Sequence, residues 1–397
     1  MPSKNYRILT SAPFIIIVFC IIGLVISLQN YLLPFDTTTN STHYNNYVIF
    51  KQSFFHLIHH TNLYQLYPNE QWDYYKYSPT FALLMSPFAV LPDFPGLLAW
   101  NLLNLLIFLA ALWKIPLPVS GHQRLYMLGF VLLELITSMQ NSQCNAFIAG
   151  MIIFAFILLE RKQVALATLC IALTVFTKIF GLIGILLFIF YPQRLKAALY
   201  MAGWMVLLFV LPLIVIPPAE LIQQYQNWLV LLKDDHNGSF GISVMGIMHS
   251  WFSVNTYKNI FVIAGALLLC LPLLRFRLFN ELRYKLFLLS SMLIWVVIFN
   301  HKAESATYII AATGVAIWFF SQKASPVNVI LLVTTFILAI LSPTEMFPHA
   351  VDLKYIVPYT LKALPCILVW LKINYDLLTY SKGDFSESEE KKIKLAG

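Results

Sequence analysis

The chain has 397 residues, 59% of them hydrophobic and only 11% charged, against roughly 25% charged in a soluble domain. Water is therefore not its main solvent. The net charge of +8 is carried in short segments between apolar runs, which excludes a nucleic-acid surface. The five cysteines lie in or at the edge of apolar runs without metal-ligand spacing, and no Walker loop or dinucleotide fingerprint appears. No metal, cofactor or nucleic-acid partner is expected; the lipid bilayer is.

A spanning helix needs about 20 mostly apolar residues. The first run, 11–33, is longer than a signal-peptide core and reads as a retained helix. It is followed by a long polar loop, 34–78, in which Tyr47, Phe50, Phe54, Leu57 and Ile58 fall at helical spacing. This predicts an amphipathic helix along the membrane surface. Further runs lie at 95–117, 122–139, 145–160, 163–191, 196–217, 258–275, 284–300, 305–321, 326–342 and 355–374. The run 163–191 is too long for one crossing and is broken at Lys178 and Gly181, which predicts two helices there and about twelve crossings in all.

Backbone groups in lipid must bond internally, so the spans are helices. The fold class is all-α: one polytopic transmembrane helical bundle over 1–374, with outer loops 34–78 and 218–257 and a charged tail, 375–397. Lys4, Arg7, Arg161, Lys162, Arg194, Lys196, Arg275, Arg277, Arg283, Lys285, Lys323 and the lysines of the tail then fall on one side. By the positive-inside rule that side is cytoplasmic and holds both termini. The short loops suit a bacterial inner membrane.

The unusual polar residues collect opposite. They include the aromatic segment Tyr74-Tyr75-Lys76-Tyr77-Ser78-Pro79, the turn 137–145 with Gln143 and Asn145, and the loop residues His236, Asn237 and His301. Solvated loops and interfacial tyrosines account for many such residues, among them His43, His56, His59, His60 and His349. Lys178 is different: an ammonium within an apolar run costs about 2.5–3.5 kcal/mol on insertion scales and marks a site by default.

The order of motifs resembles glycosyltransferase family 87, polyprenol-phosphate-dependent membrane transferases of the GT-C type. The resemblance is carried by Asn46-Tyr47, Asn62-Leu63-Tyr64, Tyr75-Lys76-Tyr77-Ser78-Pro79, Leu91-Pro92 and Trp100-Asn101. It continues through Ser142-Gln143-Cys144-Asn145, like the family's Gly-Gln-x-Asn turn, Thr177-Lys178-Ile179-Phe180, like its helix break, and His236-Asn237-Gly238-Ser239. The resemblance implies a GT-C bundle that moves a sugar, mannose or another hexose, with inversion. The donor would be a polyprenyl phosphate and the acceptor a hydroxyl of a glycan or glycolipid, on the non-cytoplasmic face. Lys178 and Lys76 would hold phosphate; Asn46, Tyr77, Gln143, Asn145, His236, Asn237 and His301 would complete substrate binding.

The chain departs from the family at one point. The first-loop Asp that would serve as base is Asn46 here, and an amide accepts no proton at neutral pH. The role passes first to Asp36, directly after the first helix, and second to Asp73 beside the aromatic segment. Two other readings stay open: a non-catalytic protein that binds a lipid-linked sugar, and a flippase- or polymerase-like component.

Overall fold

The computed structural model describes residues 11–37, 41–235, 239–256 and 258–381. No strand forms among them; a lone antiparallel bridge joins Asp36 to Ser41. His236 and Asn237 lie outside the described residues. The helices fall into two compact units, one within Met1–Ala111, Ile136–Phe188 and Gln193–Gly238, the other within Leu112–Leu135, Ile189–Pro192 and Ser239–Gly397.

The first unit begins with α1 (Ala12–Leu32). Its 21 residues at about 1.5 Å each reach the roughly 30 Å of a hydrocarbon core. Ile15, Phe19, Gly23, Ile26 and Asn30 form its buried stripe, while Ile17 and Leu32 on the other face are 57% and 68% exposed. An apolar face turned outward over a whole helix belongs against lipid tails.

α2 (Asn45–Ile58) is the helix expected in the first loop. Its apolar face, however, is not left for the membrane: Tyr47, Phe50 and Leu57 are fully buried. The Phe50 ring sits edge-on to Tyr77, Phe81 and Trp100, with centroids 4.8, 5.3 and 5.7 Å away. Phe81 lies in the short α3 (Pro79–Leu84), followed by α4 (Ser86–Ala89), and Trp100 in α5 (Asp93–Lys114). The aromatic residues at the end of the loop and after it thus supply the partner surface that the bilayer was expected to supply.

α5, α6 (Gly121–Gln140) and α7 (Asn145–Glu160) lie close to the apolar runs that predict them, and α6 up to Leu135 belongs to the second unit. α8 (Val164–Thr177) then stops at Lys178, whose backbone is extended at φ −142° and ψ 127°. The chain resumes as a 3₁₀ helix, Ile179–Phe190, unusually long for a geometry that seldom exceeds a turn or so. It doubles back on α8. A Cβ on Gly181 would lie 2.5 Å from Thr174 Oγ1, and one on Gly184 2.3 Å from Ile171. The break is therefore a hairpin closed so tightly that position 181 has no room for a side chain. α9 (Arg194–Val210) follows, with Leu195, Leu199 and Val206 turned outward.

α10 (Pro218–Asp235) occupies the start of what reads in sequence as the loop 218–257. Its average hydropathy hides it, but Leu221, Gln224, Tyr225 and Trp228 recur at helical spacing and are buried. α1, α5 and α9 with its 3₁₀ extension to Ile214 are long and apolar enough to cross a membrane, and six shorter apolar helices accompany them among the described residues.

The second unit contains α11 (Val244–Phe252), α12 (Lys258–Cys270), α13 (Leu282–Ile298), α14 (Tyr308–Phe320), α15 (Pro326–Thr335) and α16 (Ala363–Thr379). α13 and α14 are buried on nearly every face. Small residues let their backbones close together: a Cβ on Gly314 would meet the Ser290 carbonyl at 2.8 Å. Asn374 of α16 donates to Ser291 Oγ of α13 at 3.3 Å. α12 and α15 turn Leu267 and Ile330 outward. α16 runs to Thr379, into the stretch expected as tail.

Candidate functional site

The turn between α6 and α7 is held in place before any ligand arrives. Three consecutive carbonyls each accept a hydrogen bond from a different helix. Asn30 Nδ2 of α1 donates to Gln140 at 2.6 Å, Asn46 Nδ2 of α2 to Asn141 at 2.9 Å, and Trp100 Nε1 of α5 to Ser142 at 2.9 Å. Ser142 takes a left-handed φ of 49°, uncommon for a residue with a Cβ, so the turn is sharp. It delivers Gln143, 7% exposed, and Asn145, 1% exposed, into the first unit.

The hairpin at the end of α8 delivers Lys178 to the same point. Its ammonium donates to Gln143 Oε1 at 3.1 Å and to Asn145 Oδ1 at 3.0 Å. It lies 5.7 Å from the Tyr77 ring centroid and 5.6 Å from that of Phe180. An ammonium has donors only, so both amides must turn their oxygens to it. Tyr77 OH reaches Gln143 Oε1 at 3.3 Å, and the Tyr77 carbonyl accepts from Tyr64 OH at 2.9 Å. Ser78 caps α3 and binds the Phe176 carbonyl at 2.5 Å, tying the aromatic segment to the last turn of α8.

The structure thus joins Tyr77, Gln143, Asn145 and Lys178, four residues singled out from the sequence, with Asn46 one hydrogen bond away on the turn. Among the described residues no carboxylate pairs with Lys178. Among the described residues its charge is met by dipoles and ring faces.

The candidate carboxylates are placed differently. Asp73 is exposed, with a left-handed φ of 82°. It accepts from Tyr74 N at 2.7 Å and from Lys76 Nζ at 2.9 Å. Lys76 is therefore paired within its own loop. The segment is anchored to α2, because Asn45 donates to the Trp72 carbonyl and accepts from Trp72 N at 3.0 Å. Asn45 and Asn46, adjacent at the start of α2, hold the Asp73 segment and the Gln143 turn respectively. Asp36 lies in the bridge to Ser41, with Asp36 N donating to Ser41 O at 2.9 Å and Ser41 N to Asp36 O at 3.2 Å. His301 belongs to the second unit, where Gly241 packs on its backbone with no room for a Cβ.

Burial pushes the Tyr64 and Tyr75 phenols well above their ordinary range, so both stay protonated as donors; Tyr75 OH binds the Ser78 carbonyl at 2.7 Å.

Sequence reasoning missed two polar pairs. His56, treated as a solvated loop residue, is 7% exposed, stacks on Tyr67 at 3.9 Å and meets Glu70 Oε2 at 2.8 Å. In the second unit Lys362 Nζ binds Glu134 Oε1 at 2.7 Å and Ser305 Oγ at 2.8 Å. Each of these two charges stands inside an apolar run, and two opposite charges in separate spans were the available signal.

A search of curated proteins found no match. The sequence model of glycosyltransferase family 87 matches residues 75–343. The match opens on Tyr75-Lys76-Tyr77 and takes in the Gln143–Asn145 turn and the Lys178 hairpin, while Asp36, Asn46 and Asp73 precede it. Covering well over half of the 397 residues, it shows that the chain belongs to glycosyltransferase family 87, a family of membrane glycosyltransferases.

Proposed function

We propose that this protein is an inverting transferase that moves mannose or another hexose from a polyprenyl phosphate to a hydroxyl of a lipid-linked or glycan acceptor. The observation that carries this reading is Lys178. It is a cation at a helix break in an apolar run, held by two amide oxygens and two ring faces, with no neutralising carboxylate among the described residues. The site belongs to the non-cytoplasmic face of a bundle of about twelve crossings, as the basic loops opposite suggest.

In the reaction the acceptor oxygen attacks the anomeric carbon, the bond from that carbon to the phosphate oxygen breaks, and polyprenyl phosphate leaves with the electron pair. Lys178 stabilises the charge that grows on the leaving phosphate. Gln143 and Asn145 hold the ammonium in place and Tyr77 completes the wall. The hydroxyl proton passes to a carboxylate within one hydrogen bond or one water. Asp73 suits this role better than Asp36, because Asn45 ties its segment to the helix turn whose next residue grips the Gln143 turn. When the donor phosphate draws Lys76 from Asp73, the carboxylate becomes available for the proton.

Asn46 supports a second reading, a protein that binds a lipid-linked sugar without transferring it. The amide stands where the family places its acid, and it serves the turn as a hydrogen-bond donor. Protein in lipid nanodiscs, incubated with radiolabelled polyprenyl-phosphate mannose or glucose and a glycolipid acceptor, separates the two. Label in the acceptor, lost in Lys178→Met, is the expected result. Donor retention with no transfer favours the binding protein, and neither retention nor transfer overturns both.

A further inference from the structure

The first loop contains a cavity of about 280 Å³ that no step above uses. It is lined by Phe35, Ser41, Thr42, Asn45, Pro68, Asn69, Glu70 and Gln71. Its floor is fixed from outside: His56 Nε2 holds Glu70 Oε2 at 2.8 Å while stacked on Tyr67, and Asn45 is locked to Trp72. Two side-chain oxygens in its wall, Thr42 Oγ1 and Gln71 Oε1, are shut off from solvent without a hydrogen-bond partner. Gln71 as a whole is only 4% exposed, so its amide is carried in the wall rather than shed to water. Buried polar atoms in native proteins are nearly always paired, and unmade bonds beside a polar cavity mark where a ligand's hydroxyls would complete them.

The lining also indicates which ligand. Glu70 disfavours an anion. No group of three metal-ligating side chains occurs among the described residues, which leaves a metal ion poorly served. What remains is carboxylate, amide and hydroxyl groups beside an exposed aromatic, Phe35, 53% exposed. That combination matches a neutral sugar ring, with vicinal hydroxyls for the polar groups and a C–H face for the phenyl. The volume lies just below the usual range for ligand pockets, about 300–1,000 Å³, and accommodates one ring. Phe35 follows three residues after the end of α1, so the cavity opens where a lipid-facing helix terminates.

We infer that this cavity is a carbohydrate subsite that holds a hexose unit of a membrane-linked acceptor. The assignment rests on the transferase reading for the word acceptor, but the binding itself does not need transfer. The test is saturation-transfer NMR on the full chain in nanodiscs, using methyl α-mannoside, methyl β-glucoside and methyl β-galactoside as probes. The expected result is saturation transfer to ring protons of at least one glycoside, unaffected by inorganic phosphate. Phe35→Ala, on an exposed side chain that folding does not need, and the near-isosteric Thr42→Val should each weaken binding about five- to tenfold. Glu70→Gln should weaken it further, and Lys178→Met should leave it intact. Absence of binding by the wild type, displacement by phosphate, or equal binding by Phe35→Ala and Thr42→Val overturns the subsite. Transfer assays on the same samples distinguish the two failures. Sugar transfer without glycoside binding here removes the subsite and spares the transferase; glycoside binding without transfer does the reverse.

Discussion

Lys178 in the first compact unit and Lys362 in the second both interrupt apolar runs, and they are treated in opposite ways. Lys362 is 4% exposed and bonded to Glu134, itself 1% exposed, to Ser305 and to the face of Tyr308 at 4.9 Å. Its charge is cancelled where it stands. Lys178 is half-buried, and its hydrogen-bond partners are neutral amides. A buried ion pair is complete in itself and contributes mainly to holding one arrangement of helices. A cation met only by dipoles keeps its field, and that field is available to a substrate. That difference distinguishes the two residues, as cost of insertion, which singles out both, does not.

The comparison is broken most forcefully at Glu134. Glu134→Gln gives Lys362 the kind of neutral partner that Lys178 has. If Lys362 is structural, the uncompensated ammonium should cost about 3–5 kcal/mol, read as a loss of thermal stability in detergent or nanodiscs. The pair Glu134→Gln with Lys362→Met should recover much of that loss. An unchanged melting temperature in Glu134→Gln would remove the distinction drawn here.

At Lys178 the expectation is inverted. Lys178→Met should lower transfer by about 10²–10³-fold, the usual effect of removing one group that stabilises developing charge, while unfolding temperature changes little. A variant that loses stability and activity together would make Lys178 a structural residue like Lys362. Gln143→Glu sharpens the same contrast by giving Lys178 the carboxylate that Lys362 has. It should raise the donor KM about tenfold, corresponding to about 1.4 kcal/mol, without destabilising the fold. Donor affinity equal to that of the wild type would mean that the Lys178 field is not what binds phosphate.

These distinctions were only partly legible in the sequence. Lys178 stood out because an ammonium inside a 29-residue apolar run, 163–191, has few inexpensive explanations, and Gln143 and Asn145 because their turn is strongly polar for one between spans. Their convergence depends on hydrogen bonds between residues 33 and 35 positions apart, and that pairing leaves no periodic trace. α7 and α13 were legible as long apolar runs. α10 was not, because its buried stripe of Leu221, Gln224, Tyr225 and Trp228 includes polar atoms and is interleaved with the amides Gln223, Gln226 and Asn227. The face of α2 was found, but its partner was misassigned. Sequence periodicity shows that a face is apolar without showing whether lipid or protein covers it, and here Tyr77, Phe81 and Trp100 do. His56 and Glu70 read as ordinary loop residues because a 2.8 Å contact across 14 positions of irregular chain follows no pattern.

The smallest effect concerns Asn46, where on the proposed reading the chain departs from the family's acid. If the departure simply cost the enzyme its base, Asn46→Asp would raise transfer. The local geometry argues otherwise. Asn46 Nδ2 donates to the Asn141 carbonyl at 2.9 Å, and that carbonyl is the middle one of the three that hold the turn presenting Gln143 to Lys178. A carboxylate has no proton to donate at neutral pH, and it would set two acceptors against each other where a bond of about 0.5–1.5 kcal/mol now stands. Asn46→Asp is therefore expected to lower transfer several-fold, with an effect no smaller than that of Asn46→Ala, and Asp73→Asn to abolish the remainder in either background. Should Asn46→Asp exceed the wild type, position 46 would be the seat of the base, and Asp73 would revert to a partner of Lys76 in an exposed loop. The turn would then be held well enough by Asn30 and Trp100 alone, and the clamp from α2 would be a relic of the substitution rather than its purpose.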